Sequence, residues 1–165
     1  GRNLYIVRVA NNARGAMLCL PADGSALVLR AVEPGSTESI RAAVDYDGID
    51  ADEDALFNLT LQRVNPTSGR IEDQEFFRRV SYRDDADEFI GDALLESSLA
   101  RVERPYPAHR PECTMDVEWR SASPYTVPVQ AGTDGTELSD YDLIGSRKER
   151  TGLFALEQVE DFDIL

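Results

Sequence analysis

The sequence predicts a mainly β (α+β) protein: an antiparallel β-sandwich with one helix, followed by a partial α/β segment. Two observations carry this expectation. From Leu4 to Val102 the chain alternates short β-type runs with clusters of Gly, Pro, Asp and Asn, which suits a meander or sandwich. Beyond Val102 come Pro105, Pro107, Pro111, Pro124 and Pro128, and from Gly132 the pattern turns helical. The proline-rich stretch therefore marks the boundary between a sandwich domain spanning residues 4–128 and a second segment spanning 131–165.

The expected strands are "LYIVRVA" (Leu4 to Ala10), "AMLCL" (Ala16 to Leu20), "ALVLRAV" (Ala26 to Val32), "SIRAAVDY" (Ser39 to Tyr46) and "LFNLTLQRV" (Leu56 to Val64). In the last, Phe57, Leu59, Leu61 and Arg63 point to one face and Leu56, Asn58, Thr60, Gln62 and Val64 to the other. That alternation predicts a half-buried strand whose apolar face fades at Arg63. The intervening "PADG", "EPGS", "DYDGIDADED" and "NPTSGR" carry the residues that backbone reversals need. One helix is expected in "DDADEFIGDALLESS" (Asp84 to Ser98), where Phe89, Ile90, Ala93 and Leu94 fall at helical spacing. Acids occupy its first turn, as the helix dipole favours, although Gly91 weakens the pattern. The closing "FDIL" reads as the start of a further strand.

The chain has 165 residues, of which 42% are hydrophobic and 29% charged, and its mean hydropathy is −0.37; this is a globular composition able to bury a core. No apolar run approaches the roughly 20 residues that span a bilayer. The opening "GRNLYIVRV" has no signal-peptide pattern and reads as cut from something longer. With 31 acidic against 17 basic residues the net charge is −14, a field that repels phosphate backbones and anionic lipids. Neither nucleic acid nor a membrane is therefore expected as a partner. Cys19 and Cys113 share no ligand spacing and are expected to be free thiols in a reducing compartment.

Few residues offer chemistry. His109, the sole histidine, lies in "YPAHRPEC" four residues before Cys113; two ligands fall short of the four that structural metal sites want, so an exposed loop histidine is the expectation. Neither a G-x-S-x-G elbow nor a catalytic-cysteine signature accompanies it. Asp50, Asp52 and Asp54 match the first ligand positions of a calcium loop, but Ala55 replaces the required glycine and Leu61 the closing glutamate, leaving a solvated acidic loop. The adjacent Asp84 and Asp85 read as solvated carboxylates. "AGTDGTELSDYDLIGS" lacks phosphate-loop spacing, and Thr136 or Ser139 as a helix cap accounts for it. No catalytic, cofactor-binding or metal-binding residue is assigned, no cofactor is expected, and the chain is not expected to be an enzyme.

"AGTDGTELSDYDLIGS" followed by "RTGLFALEQVEDFDIL" resembles the start of the subtilisin-like core domain of contractile-tail sheath proteins, found in myophages, tailocins and related injection machines. The matching positions are Gly132, Asp134, Gly135, Asp140, Tyr141, Ile144, Gly145, Thr151, Gly152, Leu153, Ala155, Leu156 and Glu157. Upstream, "YIVRVA", "AVEPGSTESIRAAVDYD", "FNLTLQRVNPTSGRIEDQEFFRRVSY" and "SSLARV" resemble, in order, the β-sandwich domain that precedes the core in many sheath subunits. One departure is Glu38-Ser39, where many relatives have Gly-Asn before the strand. The resemblance implies a structural subunit that polymerises around an inner tube and contracts. It implies as partners other sheath subunits, the inner tail tube protein and the baseplate. Its implied location is the virion tail or a phage-tail-like particle, assembled in the bacterial cytoplasm. Subtilisin-like describes a fold here, and fold does not carry function.

The alternative expectation is a stand-alone β-sandwich binding module for a carbohydrate or protein ligand. Tyr82, Tyr106, Trp119 and Tyr125 are its candidate loop aromatics, although such residues more often pack in a core or against proline.

Overall fold

The computed structural model describes residues 5–37, 39–115, 123–157 and 159. Its contacts group the chain into two compact units, Arg14–Thr133 and, together, Gly1–Ala13 with Asp134–Leu165. In sequence, the first unit is thus inserted between the two segments of the second.

The inserted unit is mainly β, as expected. Strands β1 (Met17–Ala22), β2 (Ser25–Ala31) and β6 (Ala100–Glu103) form one antiparallel sheet in the order β1-β2-β6. Strands β3 (Ile40–Asp45), β4 (Leu56–Val64) and β5 (Ile71–Ser81) form another in the order β3-β4-β5. The β1/β2 hairpin turns on Asp23-Gly24, with φ of 39° and 75°. Two central residues with positive φ give the turn whose twist matches paired strands, which is why Asp-Gly stands there. The β4/β5 turn is held by Asn65, whose Oδ1 accepts the N–H groups of Thr67 (3.1 Å) and Ser68 (3.0 Å).

Alternating residues from both sheets meet in one core. Leu18 and Leu20 of β1, Leu27 and Leu29 of β2, Val44 of β3, and Phe57, Leu59 and Leu61 of β4 are buried together. Complete burial of each such side chain contributes about 1.5–3 kcal/mol relative to exposure.

Strand β4 departs from the half-buried expectation, because Asn58, Thr60 and Gln62 on its outer face are buried as well. Its central place in the sheet puts neighbours on both sides, and hydrogen bonds offset the cost of burying the two amides. Asn58 Nδ2 donates to Asp45 Oδ1 (2.7 Å) and the Asp47 carbonyl (3.0 Å), while its Oδ1 accepts the Arg79 N–H (3.0 Å). Gln62 Nε2 donates to Gln74 Oε1 (3.1 Å) and the Tyr125 hydroxyl (3.0 Å), and its Oε1 accepts Arg41 Nε (2.7 Å).

The open edges of β1 and β3 are covered by the loop chain that follows β6. Met17 pairs with Gln130, Ala42 exchanges hydrogen bonds with Thr126 (3.0 and 2.7 Å), and Val44 accepts from the Thr114 N–H (2.9 Å). Arg14 and Thr133 also exchange two backbone bonds (3.1 and 2.8 Å), so the first and last residues of this unit lie side by side.

The expected helix over Asp84 to Ser98 contracts to α1 (Ile90–Ala93) and a 3-10 turn at Leu94–Glu96. Its apolar spacing was informative, since Phe89, Ile90 and Leu94 are buried. The acidic lead forms turns instead, and Gly91 lies under the Phe89 ring, where a Cβ would come within 2.2 Å of a ring carbon.

In the other unit, the described part of "LYIVRVA", residues 5–10, forms no strand; Tyr5 and Ile6 are exposed, so its alternation has no sheet to join. Helix α2 (Asp140–Ile144) is capped at Ser139, whose N–H and hydroxyl both donate to Asp142 Oδ2 (2.8 and 2.7 Å). Thr136, the other candidate cap, instead bonds its N–H to the Asn11 carbonyl (2.8 Å). A 3-10 helix follows at Gly152–Leu156. The "FDIL" strand, Trp119 and Glu38 lie outside the described residues.

Candidate functional site

Two of the candidate aromatics converge. Tyr82, at the end of β5, and Tyr106, just after β6, line a cavity of about 510 Å³ with Arg83, Asp84, Asp85, Pro107 and Ala108. Both rings pack partly against the sandwich core. Tyr106 meets Phe89 edge-on, with centroids 4.9 Å apart and planes at 71°, and the Arg104 guanidinium lies 5.1 Å from its centroid. Neither tyrosine hydroxyl has a hydrogen-bond partner among the described residues, and the same holds for the Asp84 carboxylate. Arg83 is spoken for: its Nε and Nη2 each reach one oxygen of Asp85 at 3.1 Å. That fork holds the Asp85 carboxyl below its ordinary range and the Arg83 guanidinium above its own.

Tyr125 and parts of the acidic loop have structural partners. Tyr125 lies under Arg41, 4.3 Å from guanidinium carbon to ring centroid, and its hydroxyl accepts from the buried Gln62, fixing the loop to the outer face of the β3-β4-β5 sheet. In the acidic loop Asp45 holds Asn58 and the Asp47 N–H, while Glu53 forks onto Arg79, which keeps the Glu53 carboxyl low. His109 is exposed, and Cys19 and Cys113 are free thiols of intermediate exposure. No group of three His, Cys, Asp or Glu suited to a metal occurs among the described residues. No helix among them is long and apolar enough to cross a membrane.

The Tyr46 hydroxyl is pushed above its ordinary range. Burial is the main cause, and Arg110, stacked 3.9 Å from the ring centroid, opposes it. The hydroxyl donates to the Pro111 carbonyl (2.5 Å), so this residue anchors the loop after β6 and is not poised for proton transfer.

A second cavity, of about 480 Å³, lies within the other unit and is lined by residues that include Arg8, Tyr141, Ser146, Arg150 and Thr151. Ser146 and Thr151 close their loop on each other through the Ser146 N–H to Thr151 Oγ1 (2.9 Å) and the Thr151 N–H to the Ser146 carbonyl (3.1 Å). The convergence of Tyr82 with Tyr106 had no sequence signal, because they stand 24 positions apart with a strand between them. No protein-family model matches the chain, and no curated protein matches it.

Proposed function

We propose that this chain is part of a contractile-tail sheath subunit, with the Arg14–Thr133 sandwich as a peripheral domain and Asp134–Leu165 as the beginning of the core. The observation that carries the reading is that the residues matching the sheath pattern have defined backbone roles. Gly135 has φ of +95°, and a Cβ there would lie 2.1 Å from the Asn11 carbonyl oxygen. Gly145 ends α2 with φ of +74°, where a Cβ would lie 2.0 Å from the Thr151 carbonyl oxygen. Thr151 itself closes the following loop, and Glu157 pairs with Arg147 at 2.5 Å. A motif in which side chains cannot be added without moving backbone is one that a family would retain.

Two further features support the reading. The sandwich is inserted in sequence between segments that group together, as a peripheral domain carried on a core would be. In the second unit Leu138, Tyr141, Leu143, Ile144 and Leu153 expose apolar surface, and α2 buries none of its residues, which suits burial against further subunit structure. The role is mechanical: subunits polymerise around an inner tube and repack against one another on contraction, with a bistable interface in place of a reaction. Electron microscopy of the full-length subunit with its tube protein tests this reading.

A further inference from the structure

We infer that the cavity between Tyr82 and Tyr106 is a binding site for a neutral saccharide, holding one sugar residue. This goes beyond the sheath reading and does not depend on it.

The wall chemistry selects the ligand class. Arg83 and Asp85 neutralise each other, so the wall presents one uncompensated carboxylate, Asp84, beside two tyrosine hydroxyls, and an anionic ligand is disfavoured. A neutral ligand with many hydroxyls uses the acceptor and both hydroxyls. The free oxygens of Asp84 accept sugar hydroxyls, and the Tyr82 and Tyr106 hydroxyls donate or accept as needed. The Tyr82 and Tyr106 rings supply apolar contact for the C–H side of a pyranose ring.

The site is also held in shape before any ligand arrives. Tyr106 is fixed by Phe89 and Arg104, Pro107 is buried, and the Ala108 N–H donates to Ser25 Oγ (3.2 Å). The Arg83–Asp85 fork holds the opposite wall. The Tyr106 side of the site therefore needs little ordering on binding. A ligand of about a dozen heavy atoms, contacted from one side, binds with a dissociation constant on the order of 1 mM.

The test is a titration of the isotope-labelled full chain, followed by amide chemical shifts. The probes are neutral hexoses, N-acetylhexosamines and their disaccharides at up to about 20 mM, roughly twenty times the dissociation constant expected above. Free lysine and inorganic phosphate serve as charged comparisons. The inference predicts saturable shifts at residues 82–85 and 106–108 with at least one sugar and none with lysine or phosphate. Asp84→Ala, at an exposed position without partners among the described residues, should leave the fold unchanged and weaken binding at least about tenfold. Tyr82→Phe, which keeps the packing, should weaken it less. Absence of saturable shifts with every sugar, a response to lysine or phosphate alone, or sugar binding unchanged by Asp84→Ala would each overturn the inference.

Discussion

Arg30 of β2 reaches diagonally across the sheet to Glu103 of β6, its Nε and Nη2 each bonded to one carboxylate oxygen, while its Nη1 donates to the Gly15 carbonyl at 3.0 Å. One guanidinium thus joins β2, β6 and the chain leading into β1. The hydrogen bond from Arg30 is the main reason that the Glu103 carboxyl sits below its ordinary value of 4.5. A carboxylate depressed on folding contributes stability above its unfolded value and loses it as pH falls through the folded one.

Glu103→Gln should therefore lower stability at neutral pH, and the difference should fade as pH drops below 4.5. The Glu103 side chain is 35% exposed, so solvent screening limits the neutral-pH effect to about 1 kcal/mol or less. Urea titrations of both proteins at pH 7 and at about pH 3.5 check the sign, since the gap between the two should be narrower at the lower pH.

Leu29 sits at the centre of the β1-β2-β6 sheet, opposite Leu18 and Val102, and is fully buried. Leu29→Ala should cost about 2–5 kcal/mol, because the removed atoms leave a cavity that strands on both sides cannot collapse into. Chemical denaturation should show this as a lower midpoint with unchanged slope.

Gln62 serves three partners from a buried position, so removing it strands groups that water reaches poorly. Gln62→Ala should cost about 2 kcal/mol or more, whereas Tyr125→Phe, which deletes one hydroxyl partner, should cost about 1 kcal/mol. A double-mutant cycle read by thermal or urea unfolding should show that the two losses do not add.

Gly145→Ala places a Cβ 2.0 Å from the Thr151 carbonyl oxygen at a positive φ, so the turn after α2 has to open. Faster hydrogen exchange at the amides of residues 143–152 is the expected result. Gly24→Ala provides the contrast: its φ of +75° carries the same intrinsic strain, but nothing lies within 4 Å of the added methyl. It should cost only about 1 kcal/mol.

The sequence made some of this fold legible and concealed the rest for physical reasons. Strand β4 was bounded correctly because Phe57, Leu59 and Leu61 alternate on its inward face, and β1, β2 and β3 were found within two residues at each end. Strand β5 was not read as a strand, since "IEDQEFFRRVS" is an edge strand whose outward side chains are mostly charged or exposed. Strand β6, with four residues, is too short to show a period. The first expected strand failed for the opposite reason: alternation in "LYIVRVA" describes a side-chain pattern, and pairing depends on a neighbour that the pattern does not encode. Of the candidate aromatics, Tyr125 proved to be a structural clasp, while Tyr82 and Tyr106 became neighbours only through the fold.

The most direct test of the sheath reading is negative-stain electron microscopy of the full-length subunit, expressed alone and with its neighbouring tube protein, under several salt conditions. Striated tubes or stacked rings are the predicted result. Dispersed particles under every condition would contradict the reading and leave a sandwich protein whose role rests on what it binds.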